Sequence, residues 1–254
     1  MNLRRLYFTQ NECYLVGRSI VPRGVMIHST GANNPKLKRY VGPDDGLLGP
    51  SVSHWNTFRP GGRQVCVHAF IGLLAGGSVA SYQTLPWTMR GWHCGGTGNN
   101  THIGIELCED ALVDEDYFWS IYREATELTA SLCKQHGLDP LENGVVLSHE
   151  EGHQIGIASN HADVGHWFSK FGVTMDDFRS DVAKILQKEA HGVTQQEFDA
   201  MIENWLARRA EEEASNWAKP ILERAMEAGL TDGSRPRSFA TREEVATMIS
   251  ASVQ

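Results

Sequence analysis

The stretch THIGIELCE at residues 101–109 decides the fold of the first part of this chain. Its apolar side chains Ile103, Ile105 and Leu107 alternate with small or polar residues, which is the period of a half-buried β-strand. The opposite face of the same strand carries Glu106. The stretch therefore predicts a strand with one face toward a core and a carboxylate on the other face.

Apolar runs bounded by glycine and polar residues predict further strands on both sides of this one. Two of these runs, joined by a glycine-rich turn at residues 74–77, predict a hairpin. The predicted strands are GVMIHST (24–30), RQVCVHAFIG (63–72), GSVASYQTL (77–85) and ENGVVLSHEEG (142–152).

Helical spacing of apolar residues predicts one helix over residues 114–137 and a second over 174–188. The polar, glycine-containing segment 153–170 is expected to be an irregular loop. Short strands followed by helices predict an α/β fold, with a central mixed β-sheet flanked by helices.

Composition limits the class of protein. The 254 residues include 23 Lys and Arg against 31 Asp and Glu, a net charge of −8. This acidity argues against nucleic-acid binding, which needs a basic face. No apolar run approaches the roughly 18–20 residues of a transmembrane helix. The start, MNLRRLYFTQNECYLVG, has no continuous apolar stretch, so we expect cytoplasmic synthesis without a signal peptide.

The odd number of cysteines, five, and the absence of a CxxC pair predict reduced thiols and no disulfide framework.

The character of the sequence changes near residue 188. The segment after it is rich in helix-forming residues and shows no strand pattern. We therefore expect two domains, a first one at residues 1–187 and a small all-α domain at residues 188–254.

Two histidines follow the pattern of strand ends. His28 ends one predicted strand, His149 ends another, and Asp163 lies in the loop after it. Two histidines and a carboxylate suffice for a catalytic zinc site, which uses three protein ligands and keeps a position open. Spacing alone also permits ordinary hydrogen-bonded histidines, because there is no HExxH helix.

Five motifs occur in a fixed order around these residues. They are VMIHSTGANNP (25–35), VHAFIG (67–72), RGWHCG (90–95), NNTHIGIEL (99–107) and SHEEGHQIGIASNHADVGHWF (148–168). Together they resemble the N-acetylmuramoyl-L-alanine amidase type 2 family, which includes peptidoglycan recognition proteins and several phage endolysins. The resemblance covers roughly residues 1–182 and is closest to amidases of phage or prophage origin in Gram-positive bacteria.

The resemblance implies a mixed sheet with one zinc ion held in a cleft by His28, His149 and Asp163. It implies Glu106 as the general base. The position of the family's transition-state lysine is occupied by His161.

The chain departs from the family pattern at two places, with His161 for the lysine and Val164 for a proline. A ring N–H still donates to a developing oxyanion. The charge of a histidine, however, changes near neutral pH, whereas that of a lysine does not.

Three residues are expected to contact substrate. His93 matches a frequent cleft position of the family, Trp92 offers an aromatic face for a sugar ring, and Asn33 lies in a loop that borders the cleft. Loop packing and turn formation are the alternatives for Trp92 and Asn33.

The implied reaction is zinc-assisted hydrolysis of the amide bond between N-acetylmuramic acid and L-alanine of the stem peptide. The implied biology is an endolysin that acts on the cell wall after release through a holin or by lysis. A non-catalytic peptidoglycan-binding module and a muropeptide-recycling amidase stay open as alternatives. The peptidoglycan chemotype and the length of stem peptide required also stay open.

The tail has its own pattern. Residues 216–250, NWAKPILERAMEAGLTDGSRPRSFATREEVATMIS, resemble an S-layer-homology-like repeat. The resemblance implies cell-wall targeting or formation of a homo-oligomer through the C-terminal helices, with stabilisation of the fold alone as a third alternative, and the sequence does not choose between them.

Overall fold

A computed structural model describes residues 1–58, 65–191 and 194–252. Arg63 and Gln64, which begin a predicted strand, lie outside the described residues. The chain divides into two compact units, residues 1–190 and residues 191–254, and each is described by itself.

The first unit is built on a six-stranded mixed sheet with the order β1-β4-β3-β5-β2-β6. Strands β3 and β4 are antiparallel and form the predicted hairpin, while the other described neighbours are parallel. The strands are β1 (Leu3–Arg5), β2 (Gly24–Ser29), β3 (Ala69–Leu73), β4 (Val79–Gln83), β5 (His102–Leu107) and β6 (Val146–Ser148).

The neighbouring strands β2 and β5 run parallel over their whole length. The alternation predicted for β5 is confirmed, because Ile103, Ile105 and Leu107 belong to the main hydrophobic core. All six residues of β2 are buried. A strand buried on both faces explains why β2 appears in the sequence as a continuous apolar run rather than an alternating one.

Helices cover the sheet, as the α/β prediction requires. The predicted helix over residues 114–137 is confirmed, with Asp114 accepting a hydrogen bond from the Tyr117 N–H at its start and Gly137 in the left-handed conformation at its end. The helices of this unit are α1 (Glu12–Val16), α2 (Glu115–His136), α3 (His149–Gln154), α4 (Gly165–Phe168) and α5 (Met175–His191).

The expectation of an irregular loop over residues 153–170 is wrong in part. Helix α3 extends into this segment and helix α4 lies within it. The Ser148 hydroxyl accepts the Glu151 N–H, and the Glu151 carboxylate accepts the Ser148 N–H, so a capping box starts α3. Both helices are too short to show a helical period, which is why the sequence pattern missed them.

The described residues of the second unit form three helices, α6 (Gln195–Glu211), α7 (Lys219–Glu227) and α8 (Arg242–Ser252). None of the three contains a buried residue. Across the part of the chain that the structure describes, no helix has the length and apolar content needed to cross a membrane.

The core beneath the sheet predicts a measurable cost for one substitution. The Phe118 ring is 1% exposed and stacks on Phe171 with 4.3 Å between centroids. We expect Phe118→Ala to lower the free energy of unfolding by about 3–5 kcal/mol, because it leaves a cavity. Urea unfolding measures this loss. The matched control is Trp119→Ala, since Trp119 is 38% exposed; equal losses in both variants would contradict the prediction.

Candidate active site

Three neighbouring strands bring the predicted site residues to one edge of the sheet. His28 is the fifth residue of β2 and lies directly beside Glu106 of β5 in the strand register. His149 follows the end of β6, on the other side of β2. Because these strands are parallel, their carboxyl ends meet at the same edge.

The three predicted metal ligands converge there. The Nδ1 atoms of His28 and His149 are 3.0 Å apart. Asp163 places Oδ2 3.2 Å from His28 Nδ1 and Oδ1 3.4 Å from His149 Nδ1. Zinc bonds of about 2.0–2.2 Å in a tetrahedral arrangement separate donor atoms by about 3.3 Å. The spacing of the donor atoms therefore fits one tetrahedral zinc ion.

A chain of buried hydrogen bonds fixes which nitrogen of His28 faces the site. His93 Nε2 lies 3.1 Å from the His102 carbonyl oxygen, which only accepts, so His93 carries its proton on Nε2. His93 Nδ1 is then the acceptor for His28 Nε2–H, 2.9 Å away. This leaves the lone pair of His28 Nδ1 directed toward the other two donors, as a metal ligand requires.

The second histidine is oriented by a hydroxyl group. The Ser159 hydroxyl lies 3.1 Å from the Cys94 carbonyl oxygen, to which it donates its proton. Its oxygen accepts from His149 Nε2–H at 3.3 Å. His149 Nδ1 is therefore also left with its lone pair toward the site.

Glycine at position 104 makes room for the His93 ring that orients His28. A Cβ atom at Gly104 would lie 2.5 Å from Cγ of His93. Since no real side chain tolerates that distance, the His93 ring packs on the backbone of β5 only because position 104 has no side chain.

The electrostatics of the three donors suit a cation. Burial lowers the pKa of His28, so its imidazole is neutral. Burial raises the pKa of Asp163, but the adjacent rings of His149 and His28 outweigh that effect and hold the pKa well below its usual range. The site therefore presents a neutral ring at His28 and a carboxylate anion at Asp163, which are the protonation states that metal ligands need.

Glu106 stands beside the three donors with the opposite electrostatic character. Burial and the neighbouring carboxylates of Asp163 and Glu109 raise its pKa well above the usual range. Its Oε2 atom is buried and has no hydrogen-bond partner among the described residues. A buried carboxylate with a raised pKa and an unpaired oxygen is suited to exchange protons with a reacting group.

The residue in the place of the expected lysine lies against a metal ligand. The His161 ring stacks on that of His149, with centroids 4.7 Å apart and planes 22° from parallel. His161 is exposed, whereas His149 is buried. Its ring is therefore open to a molecule that enters the site.

The three expected substrate contacts differ in position. His93 is 8% exposed and lies beneath His28, so the structure gives it a supporting position instead of an open one. Trp92 is 43% exposed but lines a pocket with Arg18 and Arg90 that contains none of the three metal ligands. Asn33 is exposed on the loop that follows β2.

Sequence reasoning missed two residues that organise the site. Ser159 orients His149, and nothing in its local sequence signals this role. Glu109 accepts the Gly31 N–H at 3.1 Å and lies 3.0 Å from His166 Nε2, so it joins the loop after β2 to helix α4. The signal available in the sequence for Glu109 was an acidic residue two positions beyond the end of a strand.

Comparisons with known proteins bear on this site. No curated protein matches the chain. Among solved structures, the Staphylococcus aureus hydrolase AmiA in complex with its ligand is 18% identical, with 73% of this chain and 82% of that one covered and a TM-score of 0.49. The catalytic domain of XlyA is 21% identical; the alignment covers 72% of this chain and 99% of that domain, with a TM-score of 0.46. PlyL is 14% identical, with 72% and 96% covered and a TM-score of 0.48.

The family is established by sequence instead, because every one of these TM-scores is below 0.5. The family model described as N-acetylmuramoyl-L-alanine amidase matches residues 18–166, more than half of the chain. The match spans His28, Glu106, His149 and Asp163. The chain therefore belongs to the N-acetylmuramoyl-L-alanine amidase family and is an enzyme of that class.

Proposed function

We propose that this enzyme is a zinc-dependent hydrolase of the amide bond between N-acetylmuramic acid and L-alanine in peptidoglycan. The observation that carries the proposal is the convergence of three oriented donors, from His28, His149 and Asp163, beside the unpaired Glu106 oxygen. Zinc, when bound by these donors, supplies a Lewis acid that polarises the scissile carbonyl.

The protein side chains supply the proton transfers. Glu106, as the carboxylate, takes a proton from the attacking water and passes it to the leaving amine of L-alanine. Its raised pKa favours the first of these steps, because it makes the carboxylate a stronger base toward the attacking water. Burial keeps competing water away from its Oε2 atom.

His161 completes the proposed machinery. It lies over His149 at the open side of the site, where its ring N–H donates to the oxyanion of the tetrahedral intermediate. The expectation that Asn33 contacts substrate also stays a proposal, supported by its exposure on the loop after β2.

The alternatives are weaker on the same observations. A binding module has no use for three donors held at zinc spacing, so the geometry favours an enzyme. No observation on the described residues favours a recycling amidase over one that acts on the wall. The resemblance of the sequence motifs to amidases of phage origin supports our proposal of endolysin-like action on the cell wall, with synthesis in the cytoplasm and release by lysis.

One experiment tests the reaction and the metal together. Purified protein is incubated with peptidoglycan, and mass spectrometry identifies the new ends. We expect new L-alanine amino termini without new reducing sugars. We also expect this activity to be lost with a chelator and restored by zinc. Release of reducing sugars, or binding without any release, would overturn the proposed function.

The ligand set is tested by metal content. We expect Asp163→Ala to lower zinc affinity by at least 100-fold, because it removes one of the three donors and the only anionic one. Elemental analysis after dialysis against a competing chelator measures the affinity. The control is His153→Ala, since His153 is exposed on α3 and is not one of the three donors. Equal zinc retention in both variants would contradict the assignment.

The role of Glu106 is tested by separating chemistry from metal binding. We expect Glu106→Gln to lower kcat by about 100-fold or more, because an amide of the same shape cannot carry the proton. Zinc content and KM are expected to stay near those of the parent. A fall in zinc content equal to the fall in kcat would show that Glu106 supports the metal instead.

The role of His161 is tested by the pH profile. A lysine ammonium keeps its charge at alkaline pH, whereas histidine side chains in general change charge near neutral pH. We therefore expect His161→Lys to extend the alkaline limb of kcat to higher pH. Identical alkaline limbs in parent and variant would exclude a charged role for His161.

A further inference from the structure

Helix α6 carries an apolar stripe that the described residues of the second unit leave largely exposed. Phe198, Met201, Ile202 and Trp205 follow the spacing of one helical face, and each is between 41% and 52% exposed. The stripe continues onto Phe239, whose ring lies 5.7 Å from that of Trp205 and is 65% exposed.

The described helices of the second unit bury too little apolar surface to be stable while this stripe is exposed. Helices α6, α7 and α8 contain no buried residue at all. A short helix gains most of its stability from covering its apolar face, and units of this size commonly need oligomerisation to supply that cover. The cover must be present whenever the chain is folded. A wall polymer is met only at the wall, whereas a second copy is always available.

The charges beside the stripe identify the orientation of that second copy. Glu197 and Arg208 are eleven residues apart, which is about three turns at 3.6 residues per turn, so they flank the same side of the stripe. They lie near opposite ends of α6. An antiparallel pair of these helices therefore brings each Glu197 toward the Arg208 of the second copy, so that opposite charges meet at both ends of the pair.

We propose that two copies of this chain associate through antiparallel pairing of their α6 helices about a twofold axis near residues 201–202. Phe198 of each copy then lies against Trp205 of the other. At the middle of the interface, Met201 of each copy lies against Ile202 of the other. The interface is self-complementary, as a closed dimer requires. The proposal concerns only residues of α6 and is independent of the amidase proposal.

The consequence is a bivalent enzyme. Two catalytic units in one particle engage an insoluble polymer at two points, which raises apparent affinity without any new contact to substrate. A soluble muropeptide offers no second point of attachment, so its hydrolysis is unaffected by dimerisation.

The stripe is tested by measuring mass in solution. We expect light scattering with size-exclusion chromatography to show a dimer for the full chain over a hundredfold range of concentration. Ile202→Asp, at the centre of the stripe, is expected to give a monomer. Ala207→Asp, which introduces the same charge on the opposite face of α6, is expected to leave the dimer intact. Circular dichroism confirms that both variants remain helical.

The orientation is tested by exchanging charges. Arg208→Glu is expected to raise the dimer dissociation constant about threefold to tenfold, because it sets carboxylates against each other at two symmetric positions. Adding Glu197→Lys is expected to restore most of the affinity. Since Glu197 also caps α6 through Thr194, Glu197→Gln, which keeps an acceptor there, controls for loss of the cap.

Three outcomes would overturn the proposal. The first is a parent chain that is monomeric at every concentration. If Ile202→Asp also lowers the unfolding temperature of that monomer, the stripe packs on the same chain. The second is a dimer that survives Ile202→Asp. The third is absence of rescue by the double charge exchange, which would overturn the antiparallel arrangement. Hydrolysis of soluble muropeptide by all variants is expected to match the parent, which separates this proposal from the amidase proposal.

Discussion

The parallel pairing of β2 between β5 and β6 is the constraint on which the rest of the site depends. It sets His28 beside Glu106 in the register and brings His149, at the end of β6, to the same edge. Because β2 is buried on both faces, its position cannot shift without exposing apolar surface. The position of the two histidine ligands is therefore set by the core of the sheet, whereas Asp163 is held by the loop before α4.

A set of hydrogen bonds then determines which nitrogen of each histidine faces the site. The His102 carbonyl determines the protonated nitrogen of His93, His93 determines that of His28, and each step is buried. Such orienting partners typically change metal affinity by 10- to 100-fold when removed. His93, which the family resemblance places in the cleft, thus orients the ring of the metal ligand His28.

Much of this fold and site could be predicted from sequence. The alternation in β5, the hairpin of β3 and β4 and the capped helix α2 are local patterns, and local patterns are visible in one sequence. The coming together of His28, His149 and Asp163 required the family resemblance, because their separation along the chain of up to 135 residues leaves no local trace. The supporting role of Ser159 depends on a contact with Cys94, 65 residues away, that no pattern encodes.

The same limit explains the short helices around the site. Helix α4 has only four residues, and what holds it in place is the burial of Trp167 and Phe168 in the core. A period cannot be detected in four residues, so tertiary packing rather than propensity determines this element.

The two carboxylates of the site show how one environment assigns two roles. Asp163 and Glu106 influence each other through space, yet their pKa values move in opposite directions. The adjacent rings of His149 and His28 stabilise the charge on Asp163, while Glu106 has burial and like charge beside it. Opposite pKa shifts in two neighbouring acids leave one as an anion suited to hold a cation and the other as a group suited to carry a proton. The different roles of ligand and base therefore follow from the neighbours that the fold places beside each carboxyl group.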